Sequence, residues 1–492
     1  MSGTQSQVIS FNEIPYTWLV PGSYMEVRPN YSNAGVFDWP AKGLIVGQML
    51  ASGSATPGQV YLLTSVQQAQ GLFGMGSQAA EMAWAFLKAN PFTQVYIVGV
   101  SDALTGVAAM GALALGGAVT GAAPLQLTLA GRYIPVSVAA TDTLATIQAN
   151  TIAAINAYAD LPLIASAGTG TVVTLTAKHK GTIGNALNLR INYRSADVTP
   201  PGLTVTITPM SGGTNDPSLA GVISTISNTW YTDIILPFVD TLFAAELDRR
   251  YTAMVKLDAY AYVGLLGTYA GLVTASASLN SRFRSPVGVT NAPQSPWVWA
   301  ASIGGICAQR TTDDPAKGFQ GIVLPGILAP ADSDQFYAVE REILLANGIC
   351  TWNVQADRTV TLEQVVSENK TNSSGVPDTS WRFIKAAKVT ARVRYDWITF
   401  TSLQYPNNKL VNDGSLAAEY DPTIATPSRV KGSWAARSNL YEKNGWIENS
   451  AVTAKASVFV RDANDSNRLD AQQQIQIIGN LFVLAGVLEF QS

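Results

Sequence analysis

His179 is the only histidine in the chain, so imidazole-based acid–base chemistry near neutral pH has one place to occur. It stands in Lys178-His-Lys-Gly181, and no neighbouring acid in the sequence is placed to orient its ring. The local pattern predicts a solvated loop or strand-end residue and not a catalytic base. A hydrolase nucleophile elbow needs Gly-x-Ser-x-Gly, and that pattern is absent. Cys307 and Cys350 are the only cysteines; with one histidine they do not complete an ordinary zinc ligand set. They predict two reduced thiols and no disulfide framework. Gly71-Leu-Phe-Gly-Met-Gly76 precedes a helix, but its glycines miss the dinucleotide-binding order and no Gly-Lys-Ser/Thr follows. It reads as a turn. Asp313-Asp314-Pro315 places two acids side by side, whereas paired-acid catalysis needs them facing across a cleft. Trp297 and Trp299 point to different faces at i, i+2 and suit core packing or a subunit contact. Asn369-Lys-Thr and Asn372-Ser-Ser read as chance glycosylation matches in a polar loop. No catalytic, cofactor-binding or metal-binding residue is expected.

The bulk properties narrow the alternatives. A chain of 492 residues suggests two to four domains. Hydrophobic residues at 47% can build a large core, and charged residues at 13% are about half the usual share. Such a lightly charged chain suits a surface covered by partners, or a large α/β core. A net charge of -3 gives no basic excess for phosphates, so nucleic-acid binding is not expected. The N-terminal segment lacks a basic region followed by an apolar run, so no secretory leader is expected. Two uncharged stretches, 103–131 and 259–281, are Ala/Gly/Ser/Thr-rich or change character midway, unlike a membrane span.

The elements form an α/β frame with an interruption. Gly43–Gly47 reads as a buried strand and Val95–Val100 as another. Between them lies a helix from Ser77 to before Asn90-Pro91, carrying Ala79, Met82, Ala83, Phe86 and Leu87 on one face. This is the βαβ signature of a parallel sheet. From 103 to 218 short β runs appear: 125–129, 133–138, 172–177, 186–193 and 203–208. One helix, 143–159 with Thr141 or Asp142 as cap, interrupts them. The α/β rhythm then returns with a strand at 259–266, a helix at 271–283, a strand at 287–289 and a helix at 295–308. A helix at 332–347 follows, with Phe336, Val339, Ile343 and Leu344 as its apolar stripe. A hairpin at 349–354 and 359–366 precedes helices at 381–402 and 427–443, the latter capped by Thr426 with Pro427 at its first position. Strands at 452–460, 472–478 and 481–490 close the chain. The implied divisions are an arm at 1–20, an α/β part at 21–102, a β-rich insertion at 103–218, an α/β core at 219–375, an α+β domain at 376–480 and a terminal strand at 481–492.

A resemblance adds a function to this frame. Ile9-Ser-Phe-Asn-Glu-Ile-Pro15 followed by Val20-Pro-Gly-Ser-Tyr-Met-Glu-Val27 resembles the opening of Mu-like contractile phage tail sheath proteins. The pattern continues through Gly43–Gly47, Ser65 to Gly74, Val95-Tyr-Ile-Val98, Thr176–Asn185 with Leu187–Tyr193, and Asn467-Arg-Leu-Asp470. The resemblance implies a subtilisin-like α/β core; with no histidine in residues 219–375, a Ser-His-Asp triad there is excluded. It implies a homo-oligomer of six-fold rings stacked helically around a tail tube protein. Baseplate and tail-terminator proteins would bound it, in a virion tail assembled in the host cytoplasm, with neither nucleic acid nor membrane insertion. Contraction would drive the tube through a cell envelope. It also implies extended arms that add strands to neighbouring sheets.

The residues carry such arms. Val8, Ile9, Phe11 and Ile14 form a short β-capable stretch ahead of Pro15 and Pro21. Leu481, Phe482, Val483, Leu484, Val487, Leu488 and Phe490 make a terminal segment that is apolar almost throughout. Left free it would be an aggregation-prone strand, and a neighbour's sheet would bury it by strand addition. Pairing within its own subunit is the alternative. On the helix from Trp381, Arg382, Lys385, Lys388 and Arg392 cluster at 3–4 spacing and form either a solvated face or a tube-docking strip. An α/β enzyme of unknown chemistry is one alternative, but the chain offers one histidine and no recognised motif; another tail or baseplate component is a second, and a tube subunit would be smaller and mainly β.

Overall fold

The computed structural model describes residues 14, 15, 17–26 and 35–491. They fall into two compact units, one of residues 40–313 and 317–387, the other of residues up to 39, 314–316 and 388 onward. Each unit has its own hydrophobic core.

The larger unit opens with β1 (Lys42–Met49), β2 (Val60–Leu63), α1 (Val66–Phe73), α2 (Gln78–Ala89) and β3 (Gln94–Ser101). β1 is buried beyond its first residue, as an apolar run covered on both faces of a parallel sheet must be. α2 starts where Ser77 accepts a hydrogen bond from the Ala80 amide, with Glu81 in the first turn and Lys88 in the last. The Lys88 charge complements the helix dipole.

The chain then leaves this sheet for β4 (Ala108–Gly117), β5 (Ala123–Leu129), β6 (Arg132–Val138), α3 (Leu144–Asn156), β7 (Leu163–Ala167), β8 (Val172–Lys180), β9 (Leu189–Ile191) and β10 (Leu203–Ser211). These make two antiparallel sheets, ordered β10-β4-β8-β7 and β6-β5-β9. Thr143 caps α3 by accepting from Thr146, while Asp142 accepts from Ala139. The cap therefore lies one or two residues beyond the expected ones, because Thr143 is the last extended residue.

The frame resumes with α4 (Ala220–Ile226), β11 (Asp233–Leu236), α5 (Thr241–Arg250), β12 (Tyr260–Leu266), α6 (Tyr269–Ser276), β13 (Arg284–Val289) and α7 (Pro296–Asp313). The sheet order is β13-β12-β11-β1-β3-β2, parallel except for the antiparallel edge strand β2. The expected α/β class is therefore observed. The unit ends with β14 (Ile322–Val323), α8 (Ala338–Ala346), β15 (Thr351–Val354) and β16 (Val360–Gln364), which form the expected hairpin and a third strand. α8 is shorter than its sequence pattern. Residues Asp332–Asp334 form a separate 3-10 turn, and the Glu340 carboxylate caps the Tyr337 amide. Val339 and Ile343 are exposed and so do not belong to a buried stripe.

α9 (Ile384–Gln404) leads into the smaller unit, which holds α10 (Leu416–Tyr420), α11 (Pro427–Lys443), β17 (Ile447–Glu448), α12 (Ser450–Ala456), β18 (Val458–Arg461), β19 (Leu469–Gln472) and β20 (Gln476–Ile477). Thr426 caps α11 on the Arg429 amide, with Pro427 first in the helix, as expected. The predicted strand at 452–460 is instead α12 followed by β18, since Ala451, Ala454 and Ala456 favour helix. β18 and β19 form a two-stranded ribbon, and β17 pairs with β20. Residues 481–490 adopt no strand in the isolated chain.

Candidate functional site

Open parallel sheets hold their ligands at the carboxyl ends of the strands. In the larger unit that position is occupied by its own side chains. Gln48, near the end of β1, donates from Nε2 to Asp102 at 2.7 Å, just past β3. Asp102 Oδ1 lies 2.8 Å from His179 Nδ1, and His179 Nε2 accepts from the Gln78 amide at 3.0 Å. Gln78 Oε1 accepts from the Gln48 amide, and its Nε2 donates to Pro237 O just past β11. His179 is 3% exposed. The expectation of a solvated histidine is thus corrected. On β8 it follows Val173, Leu175 and Ala177 on the buried face. An acid does orient it, but Asp102 is remote in sequence. The ring resembles a catalytic dyad only on one side. Its second nitrogen is spent on a helix N-terminal amide, leaving no free base. Burial opposes the Asp102 charge, yet the hydrogen bond and charge of His179 with the Lys180 amide and Gln48 hold its carboxyl below the usual range. Gly76 lets this junction close: at φ 77° it brings the Leu161 carbonyl within 2.2 Å of where a Cβ would stand.

A cavity of about 460 Å³ lies nearby, lined by Glu81, Trp84, Arg132, Tyr133 and Asp160 among others. Glu81 accepts from Trp297 Nε1 at 2.9 Å. Burial pushes its carboxyl up to about 8, against the lowering effect of Trp297; Asp160 raises it further and Lys178 lowers it. Arg132 pairs with Asp160 at the same cavity. Neither nucleophile nor free base accompanies this acid. Among the described residues no cluster of His, Cys, Asp and Glu suits a metal ion, and no helix is long and apolar enough to cross a membrane.

The smaller unit has the opposite character. Its C-terminal segment leaves Leu481, Val483, Leu484, Val487, Leu488 and Phe490 exposed, Leu488 by 92%, with Phe482 half-buried. Its root is fixed by β20 on β17, by the Ile478 amide donating to Trp446 O, and by Asn480 donating to Ala316 O. At the other end Val8, Ile9 and Phe11 lie outside the described residues, and Ile14 is half-buried in a bend. A second apolar group, Trp18, Leu19, Val20 and Met25, is exposed. Its sequence signal is the Trp-Leu-Val run between Pro15 and Pro21, inside the expected arm at 1–20 but not among the residues singled out for strand donation.

The strap that follows, residues 35–39, is fastened on both sides. The Phe37 amide donates to Asp396 Oδ1 at 2.8 Å, and Gly35 O accepts from both Arg437 Nη1 and Nη2 at 3.2 Å. Arg437 Nε donates to Asp396 Oδ2 at 3.0 Å, and Tyr441 OH to the same oxygen at 2.6 Å. Asp396 and Arg437 are buried. Asp396 is the only acid between Trp381 and Gln404, a lone charge on a basic helix that marked this anchor in the sequence. Trp39 meets Tyr395 edge-on at 5.5 Å.

The basic strip, which begins with Arg382 just ahead of α9, is only partly exposed. Lys388 and Arg392 are buried, while Arg382 and Lys385 are half-buried. Arg392 lies between the rings of Trp39 and Trp446, at 5.7 and 5.2 Å. Two of the four residues read as a solvated face or a tube-docking strip are therefore buried, Arg392 against aromatic rings.

No family model matches the chain. A Mu-like prophage tail sheath protein of Haemophilus influenzae is 29% identical over 486 residues, covering 98% of this chain and 99% of that one. The resemblance read from the ordered motifs thus holds along nearly the whole length. Similar solved structures include the sheath tail protein of Desulfitobacterium hafniense, 12% identical with a TM-score of 0.48 over 93% of this chain and 100% of that one. Another is the sheath tail protein of Listeria innocua, 12% identical with a TM-score of 0.47 over 89% and 92%. A third is the helical sheath of the anti-feeding prophage in its contracted state, 13% identical with a TM-score of 0.45 over 96% and 99%.

Proposed function

We propose that this chain is the subunit of a contractile tail sheath, a structural protein that polymerises around a tail tube and shortens to drive it through a target envelope. The observation that carries this reading is the exposed apolar segment 481–490 on a firmly anchored root, in a chain matched end to end by a tail sheath relative. A monomeric protein would gain by folding such a segment away, at roughly 1.5–3 kcal/mol for each large apolar side chain buried.

In this reading the segment donates a strand to a neighbouring copy, as does the N-terminal stretch with Trp18 and Leu19. The β18–β19 ribbon is the acceptor. Two strands alone are marginal in water, and Val458 and Val460 are half exposed on it. An added strand would cover them and supply main-chain hydrogen bonds. Each copy then gives to one neighbour and receives from another. That heterologous contact generates rings and helical tubes, not closed dimers. The parallel sheet of the larger unit suits the subtilisin-like core implied by the family, with residues 103–218 as an outer insertion. Tube contact falls to Arg382 and Lys385, the two residues of the basic strip that retain exposure. Six-fold rings bounded by baseplate and terminator proteins, in a virion tail assembled in the host cytoplasm, complete the reading. Negative-stain electron microscopy of the purified protein tests it: cylinders support a sheath, and monodisperse particles at every concentration and salt overturn it.

A further inference from the structure

Both arm roots meet one buried cation. Arg392 is 5% exposed, yet its Nε and Nη1 make no hydrogen bond. Its guanidinium is held instead by the two indoles, an arrangement stabilised by ring quadrupoles when water is excluded. Trp39 ends the N-terminal strap, whose Phe37 amide is fixed on Asp396. Trp446 carries the carbonyl that receives the Ile478 amide at the start of the C-terminal arm. Trp446 also stacks on Tyr441 at 5.8 Å, and Tyr441 donates to Asp396. The path from strap to arm therefore closes on itself, through Trp39, Arg392 and Trp446 on one side and Asp396 and Tyr441 on the other.

We infer that Arg392 is a positioning residue that couples the two arm roots, so that an arm engaged by one neighbour fixes the departure of the other arm toward the next. This rests on the sheath reading. A polymer linked only through arms must pass displacement from one arm to the other inside each subunit. An α9 residue clamped between the two roots does so without a hinge. A purely structural arginine would instead be satisfied by hydrogen bonds, as Arg437 is.

The test uses the full chain with Arg392→Met, which keeps volume and loses charge and planarity, and Arg392→Lys, which keeps charge. Amide exchange is followed in two peptides, 35–39 and 476–480, and tubes are imaged in parallel. The expected result for Arg392→Met is a folded protein in which strap exchange rises at least tenfold, the two roots open independently, and tubes are short or absent. Arg392→Lys recovers part of the coupling. Wild-type exchange at both roots together with wild-type tubes in Arg392→Met overturns the inference. Where Arg392→Met does not fold, Trp39→Leu loosens the strap from the same stack at the chain's edge, and unchanged exchange there also overturns it. Absence of tubes from the wild-type protein counts against the sheath reading instead, and the exchange result then decides the coupling alone.

Discussion

The larger and smaller units treat the same kinds of residue in opposite ways. In the larger unit the strand-end position that enzymes leave open is filled by Gln48, Asp102, His179 and Gln78, bonded to one another. In the smaller unit a run of leucines, valines and a phenylalanine stays in solvent, while buried Asp396 and Arg437 fasten the chain that leads to the N-terminal arm. A folded chain pays least when polar groups are outside and apolar groups inside. The smaller unit departs from that rule at residues 481–490, the segment that the proposed strand donation would cover. The larger unit departs from it at the junction, where Gln48, Gln78, Asp102 and His179 are buried or half-buried and bonded to one another, which marks a scaffold.

Breaking the anchor gives the largest effect. Asp396→Ala leaves Arg437 buried without its acid and should cost about 3–5 kcal/mol. Amide exchange resolved by segment should show this in α9, α11 and the strap, with β1 and β3 unchanged. Equal loss of protection in β1 would show that the two units are not separately stabilised.

The second effect is pH-dependent and confined to the larger unit. The Glu81 carboxyl is raised from 4.5 to about 8 in the folded protein. Its contribution is therefore fully present below the unfolded value and is lost as pH rises toward the folded one. Denaturant unfolding should show stability falling across that window by up to about 1.4 kcal/mol per pH unit. Glu81→Gln should flatten the slope; an unchanged slope would assign it elsewhere.

Removing the buried imidazole comes next. His179→Ala strips the Gln78 amide of its acceptor and Asp102 of its partner, a loss of about 1–3 kcal/mol. Tubes should still assemble at low temperature. Failure to assemble despite a folded larger unit would move function back onto His179. The smallest effect on the fold belongs to the ribbon: Val458→Thr with Val460→Thr should change stability by less than about 0.5 kcal/mol, yet reduce tube yield in sedimentation. Normal yield would remove the ribbon as acceptor.

Much of the frame was legible because periodicity reports burial. The apolar runs at 43–47 and 95–100 and the helix after Ser77 have one physical solution, a covered parallel sheet. The insertion's strands were legible for the same reason. Helix ends were less so: α6 stops at Ser276, and α8 begins only at Ala338, where local caps and tertiary contacts decide. Residues 481–490 have a strand-like apolar pattern but adopt no strand, because β propensity alone does not specify what a segment pairs with. His179 was misread from its lysine neighbours, although its alternation with Val173, Leu175 and Ala177 already put it inside. The burial of Arg392 was not legible, because a guanidinium caged by indoles looks, in sequence, like a solvated or docking charge. Asp396, Arg437 and Tyr441 come together from positions 41 to 45 residues apart and join a strap 359 to 402 residues away in the chain. No local pattern contains that information.

The account turns on the exposed C-terminal segment, so its removal is the direct test. Full-length protein and a chain ending at Asn480 are purified, compared by circular dichroism, and imaged by negative-stain electron microscopy. The account predicts equal spectra, cylinders from the full chain and dispersed subunits from the truncated one. Cylinders of ordinary length and diameter from the truncated chain would contradict it.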